Sequence, residues 1–175
     1  MMGATAKGQA NAIAALLILA GLVAIGTAWG FELIGGYAPC KLCLEQRVPY
    51  YIGLPLALAS LYLSLKGRSG LAALGFVLVA AVFAYGGGLG VYQSGAEWGF
   101  WAGPSDCGGG AAAPASAADM LSALQTTRVV SCTEASWRFL GLSFAGWNAF
   151  VSGGLAVLGL IAALLSLKAR KARVA

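Results

Sequence analysis

Four cysteines carry the redox-capable chemistry of this 175-residue chain, and they fall into two unequal pairs. Cys40 and Cys43 enclose Lys41 and Leu42 in a Cys-x-x-Cys, whereas Cys107 and Cys132 are spread along one later polar loop. A disulfide across the first spacing closes so small a ring that chain entropy gives it only about 2 kcal/mol, against about 3.5 kcal/mol for the second. It is a weak staple but a well-placed switch, because two close thiols pass electron pairs by expelling an attacked sulfur. Histidine is absent. That removes the commonest general base and, with the wide second spacing, argues against a structural zinc site, so no metal is expected.

The first pair has local chemistry beyond its spacing. If a helix begins near Cys40, Cys43 lies in its first turn, where free backbone N–H groups and the helix dipole stabilise an anion. Arg47 follows four residues later, on the same helix face, where a guanidinium that cannot lose its proton favours a thiolate. The competing reading of Arg47 is an interfacial side chain reaching for headgroups. Glu32, Glu97 and Glu134 could move protons, but each reads first as an ordinary interfacial carboxylate.

Composition decides what must position these thiols. A chain that is 59% apolar and 10% charged, with mean hydropathy +0.81, cannot hide that much hydrocarbon inside a soluble domain of this length. The expected fold is an all-α membrane protein, a single four-transmembrane-helix bundle. Its spans fall at about 12–31, 44–65, 71–91 and 145–167, with two outward-facing loops at about 32–43 and 92–144. The second span carries Glu45 and Arg47 at its start and is interrupted by Pro49 and by Pro55, where a kink is expected. The first span is longer than a secretory h-region and lacks a convincing cleavage site, so it reads as a helix that is retained. Gly86, Gly87, Gly88 and Gly90 read as close-packing positions.

Orientation follows from the basic residues. Four spans place both termini on one side with Lys7, Lys66, Arg68, Lys168, Arg170, Lys171 and Arg173, seven of the eleven Lys and Arg, in short segments. That side is expected to be cytoplasmic, which turns all four cysteines outward, toward the periplasm of a bacterium, where disulfides persist. The net charge of +5 needs no nucleic-acid partner, because topology and anionic lipid account for it. The long second loop opens with the interfacial aromatics Trp98, Phe100 and Trp101, continues through a Gly- and Ala-rich stretch, and could form a surface helix over 115–124 with Met120, Leu121 and Leu124 toward lipid.

Three segments now carry a resemblance. Pro39-Cys40-Lys41-Leu42-Cys43-Leu44-Glu45-Gln46-Arg47, the aromatic run Glu97-Trp98-Gly99-Phe100-Trp101-Ala102-Gly103-Pro104 ahead of Cys107, and Cys132 followed by Trp137-Arg138-Phe139-Leu140-Gly141-Leu142 are similar to the disulfide bond formation protein B (DsbB) family. The likeness covers nearly the whole chain. It implies a thiol:quinone oxidoreductase of the bacterial inner membrane that reoxidises a periplasmic DsbA-like thiol oxidase. Cys107 would form the mixed disulfide with that partner, Cys132 would pass the electrons to Cys40, and Cys43 beside Arg47 would meet the membrane quinone, ubiquinone or menaquinone. Where many relatives carry a histidine after the third span, this chain has Gln93, which puts any role of that position in doubt. The alternative from another class is a non-catalytic membrane scaffold with structural disulfides. A transporter would be expected to bury polar or ionisable groups deep in its spans, and this chain places almost none there.

Overall fold

In lipid every backbone N–H and C=O must be satisfied within the protein, so apolar segments of this length fold as helices. The computed structural model describes residues 2–37, 39–103 and 133–174. It contains helix α1 (Met2–Leu33), a one-turn helix α2 (Lys41–Glu45), α3 (Val48–Leu65), α4 (Ser69–Glu97) and α5 (Phe144–Val174), with strands β1 (Arg138–Phe139) and β2 (Leu142–Ser143) leading into α5. Four of the helical segments, Thr5–Leu33, Lys41–Leu65, Ser69–Glu97 and Phe144–Ala172, are long and apolar enough to cross a membrane. The chain is therefore an all-α membrane protein with little sheet. Met120, Leu121, Leu124 and the surface helix expected over 115–124 lie outside the described residues.

The second span is the one that departs most from its expected form. A break falls at Gln46 and Arg47, between α2 and α3, while Pro55 sits inside α3. The reason is Pro49 in the first turn of α3. It has no N–H to return to Glu45 and it disfavours helical backbone at Val48. Arg47 N–H turns back to the Leu44 carbonyl at 3.0 Å, and Tyr50 N–H to the Arg47 carbonyl at 3.0 Å. At 1.5 Å per residue, α3 alone spans about 27 Å, close to the ~30 Å of a hydrocarbon core, and α2 carries the segment on toward the interface.

Helix α4 runs past the expected end at Val91 to Glu97 and stops in a Schellman turn. Gly99 there has φ +73°, Gly99 N–H bonds the Ala96 carbonyl at 3.1 Å, and Phe100 N–H bonds the Gly95 carbonyl at 2.9 Å. Beyond it, Trp98, Phe100 and Trp101, expected as an interfacial belt, are all exposed, and Trp101 donates from Nε1 to the Tyr92 carbonyl at 2.8 Å.

The glycines of α4 let α5 come close. A Cβ on Gly90 would lie 2.7 Å from the backbone nitrogen of Ala149 and 2.8 Å from the Ala145 carbonyl oxygen. Gly86 faces Pro49 of α3, and Gly87 faces the backbone of Gly153, whereas Gly88 has open space. With little hydrophobic drive between helices in lipid, such backbone approach supplies the packing. Leu17, Tyr50, Leu54, Val79, Phe83 and Leu155 form the core at one level, and Ala14, Ala72, Phe76, Ala162 and Ala163 at another. Outward-facing Leu19, Leu58, Phe150 and Leu164 remain exposed, as they should in a hydrocarbon solvent.

The β hairpin was not anticipated. Arg138 pairs with Ser143 and Phe139 with Leu142 around Leu140 and Gly141, both at positive φ. Ser143 then caps α5, accepting Gly146 N–H at 3.2 Å.

Candidate functional site

Cys40 and Cys43 are brought together and bonded to each other, with Cα atoms 5.0 Å apart. Cys40 is the N-cap of α2, in extended conformation, and its Sγ accepts the Cys43 N–H at 3.1 Å. The helix start thus aims a backbone donor at the Cys40 sulfur, where Cys43 was the expected beneficiary. The two thiols differ in access as well. Cys40 is fully buried, while Cys43 is half-buried and forms part of a cavity wall. Cys107 and Cys132 lie outside the described residues.

Gln93, from α4, is the side chain that touches both sulfurs. Its Nε2 lies 3.6 Å from Cys40 Sγ and 3.7 Å from Cys43 Sγ, distances at which an N–H bonds sulfur. Gln93 Oε1 accepts from Gln46 Nε2 at 2.6 Å, and Gln46 Oε1 accepts from Asn148 Nδ2 at 2.7 Å. Asn148 also donates to the Gly86 carbonyl at 3.3 Å and accepts from the Tyr50 hydroxyl at 2.9 Å. Gln93 and Gln46 are buried, so these bonds answer the cost of desolvating their amides. The chain links α3, α4 and α5 at one level. None of Gln46, Asn148 or Tyr50 was singled out from the sequence. Their signal was a set of neutral amides inside apolar segments, which in a membrane protein tend to face inward.

Arg47 is buried beside this network, but its described bonds go to α1. Its guanidinium pairs with Glu32, donates to the Ala28 carbonyl at 3.5 Å, and sits over the Trp29 ring at 5.1 Å. Glu32, read as an ordinary interfacial carboxylate, is thus the partner of Arg47. The break after α2 also means that Arg47 and Cys43 do not share one continuous helix, although both line the same cavity. Glu97 reaches the site too, accepting from Gln93 Nε2 at 3.4 Å.

The cavity has a volume of about 660 Å3 and lies between α1, the start of α3 and α5. Ala20, Ala24, Ile25 and Val151 make its apolar walls, and Phe31, Tyr37, Trp137 and Phe144 pack ring against ring around it. Its polar lining comes from Thr27, Glu32, Cys43, Gln46, Arg47, Tyr50, Ser136 and Asn148. A concave, mostly apolar cavity with a few polar groups has the usual form of a small-molecule site.

Residues 10–162 match the model of a family described as disulfide bond formation protein DsbB. A protein from Marinobacter nauticus, disulfide bond formation protein B, is 34% identical over 156 residues, which cover 85% of this chain and 87% of that one. No solved structure matches.

Proposed function

Since this chain belongs to the disulfide bond formation protein DsbB family, a family of membrane disulfide oxidoreductases, we propose that it reoxidises a periplasmic DsbA-like dithiol protein and delivers the electrons to a membrane quinone. The observation that carries this reading is Cys43, one sulfur of a disulfide, set in the wall of an apolar cavity beside Arg47. An outward-facing loop pair and a membrane-facing pair then divide the work. The proposed topology puts the basic termini in the cytoplasm and the thiols in the periplasm.

A thiolate of the reduced partner attacks Cys107 Sγ and breaks the bond to Cys132, and the partner's second thiol resolves the mixed disulfide. The partner leaves oxidised, with its electron pair on Cys107 and Cys132. Cys132 next attacks Cys40 and expels Cys43 as a thiolate, and Cys107 then closes back onto Cys132. Cys40 and Cys43 now hold the electrons, with Cys43 facing the cavity. The partner must find a stronger oxidant than itself. DsbA lies near about −120 mV, while structural disulfides lie below about −300 mV, so another protein disulfide of ordinary kind cannot serve.

The cavity fits a quinone by its apolar walls and by Arg47, which lines it together with Cys43. When bound, a quinone supplies a two-electron, two-proton acceptor. Arg47, whose guanidinium has more N–H donors than Glu32 and the Ala28 carbonyl use, would hold a carbonyl-bearing ring there, and the aromatic cluster would exclude water around it. Ubiquinone and menaquinone share this chemistry.

The deciding measurement is quinone reduction by the purified protein with a reduced DsbA-like protein as donor. Stoichiometric loss of partner thiols and quinone is expected. Absence of reduction with all four cysteines intact overturns the reading. An impermeant maleimide should also label a variant retaining Cys107 alone in intact spheroplasts, and labelling only after lysis would reverse the topology.

A further inference from the structure

A carboxamide can be turned end for end, and its effect on a sulfur depends on which end faces it. The orientation of Gln93 is set from a distance by a group that cannot be turned. The Gly86 backbone carbonyl can only accept, and it receives Asn148 Nδ2 at 3.3 Å. With its nitrogen on that side, Asn148 also donates to Gln46 Oε1 at 2.7 Å. Gln46 therefore offers Nε2 to Gln93 Oε1, at 2.6 Å. Gln93 is left with its own Nε2 toward Cys40 and Cys43, at 3.6 and 3.7 Å. At the far end the Tyr50 hydroxyl and Ser152 Oγ donate to Asn148 Oδ1 at 2.9 and 3.2 Å. Glu97 Oε1, 3.4 Å from Gln93 Nε2, selects the same end of the amide. Every bond in the chain points its donor toward the disulfide.

We propose that Asn148 is a positioning residue for the dithiol: acting through Gln46, it holds the Gln93 amide with its N–H toward the sulfurs and so raises the reduction potential of the Cys40–Cys43 pair. The inference rests on the redox role proposed above. Reduction breaks the Sγ–Sγ bond. Two electrons from the donor dithiol and one proton leave one thiol and one thiolate. A disulfide sulfur is a weak acceptor, whereas a thiolate is a charged one and gains far more from the same N–H. The fixed donor thus favours the reduced side. Arg47 is already paired with Glu32, which offsets its charge at the sulfurs and leaves the oriented amide a larger share of the local field. A reversed chain would present the Gln93 carbonyl oxygen and change the sign of the effect, so orientation matters as well as presence.

The test uses the full-length chain carrying Cys107→Ser and Cys132→Ser, in nanodiscs without quinone or partner, equilibrated against oxidised and reduced dithiothreitol. Asn148→Leu, which leaves Gln93 in place, is expected to shift the equilibrium about tenfold toward the disulfide, or ~30 mV for a two-electron couple. The pH midpoint for alkylation of reduced Cys43 should rise with it. Gln93→Leu should shift the equilibrium at least as far. If Asn148→Leu does not fold, Asn148→Ala carries the test, since it removes the amide without adding a charge; a shift in the same direction is expected. A folded Asn148 variant within twofold of the parent in this equilibrium overturns the proposal. Neither quinone nor partner enters the measurement, so failure of the quinone assay and failure of this inference are separate results.

Discussion

Buried polar side chains at the two ends of the bundle find different kinds of partner. At the end away from the cysteines Ser60 Oγ donates to the Leu56 carbonyl and Ser166 Oγ to the Ala162 carbonyl of their own helices, and Ser64 Oγ makes a single bond across to Asn11 of α1. At the cysteine end, Tyr50, Asn148, Gln46 and Gln93 instead join three helices in series and finish on sulfur. A serine bonded to its own helix is an inexpensive way to bury a hydroxyl. A run of amides between helices demands that every member be met. The contrast teaches that polarity in this protein is concentrated where charge must change.

The sharpest way to break the contrast is at the sulfurs. Cys43→Ser should abolish repeated turnover with quinone, while the loop pair still accepts one electron pair per molecule; Cys132→Ser should do the reverse, leaving Cys40 and Cys43 reoxidisable but disconnected from the partner. Single-turnover thiol counting on both variants checks this, and continued quinone turnover in Cys43→Ser would dismiss the relay. Arg47→Gln comes next. Loss of a charged hydrogen bond of about 1.5 to 3 kcal/mol implies one to two decades in kcat/KM for quinone, with thiol exchange between partner and loop intact. An unchanged quinone KM would return Arg47 to a packing role with Glu32.

Smaller effects test the helices that hold both ends. Gly90→Val should destabilise by about 1–3 kcal/mol, because its side chain meets the backbone of Ala149 and Ala145. Gly88→Val, which meets nothing within 4 Å, should stay within about 0.5 kcal/mol. Equal melting shifts in detergent would contradict the close α4–α5 contact. The smallest effect belongs to the quiet end: Ser166→Ala should leave the quinone rate unchanged and move stability by no more than about 1 kcal/mol. A rate loss there would show that the ends are coupled.

Much of this was legible beforehand for plain physical reasons. Four apolar stretches of span length identify themselves, and a Cys-x-x-Cys announces a dithiol; the arginine four residues on, expected one turn below the thiolate, instead pairs with Glu32 of α1. The position of the helix break was not legible in the same way. Pro55 and Pro49 both interrupt the second span, and only the first-turn placement of Pro49 decides which one ends a helix. The amide chain was hidden by distance, since Gln46 meets partners 47 and 102 residues away and each amide alone looks like an interfacial side chain. Glu32 was masked likewise, fifteen residues before Arg47. The hairpin lacked its usual Asn-Gly signal, because Leu140 takes positive φ at a position that commonly asks for asparagine or glycine.

The break at Gln46 and Arg47 also works as a depth gauge. The Glu45 carbonyl, which Pro49 has no N–H to bond, would cost several kcal/mol if left unmet in hydrocarbon, so that turn is expected to sit at headgroup level. Anchoring the sulfurs at the water line and choosing the immersion depth of the protein are then one and the same constraint. In a thicker or thinner bilayer the misfit must be absorbed elsewhere, by tilt and at the long far ends of α1 and α5, while the dithiol keeps its distance from the surface.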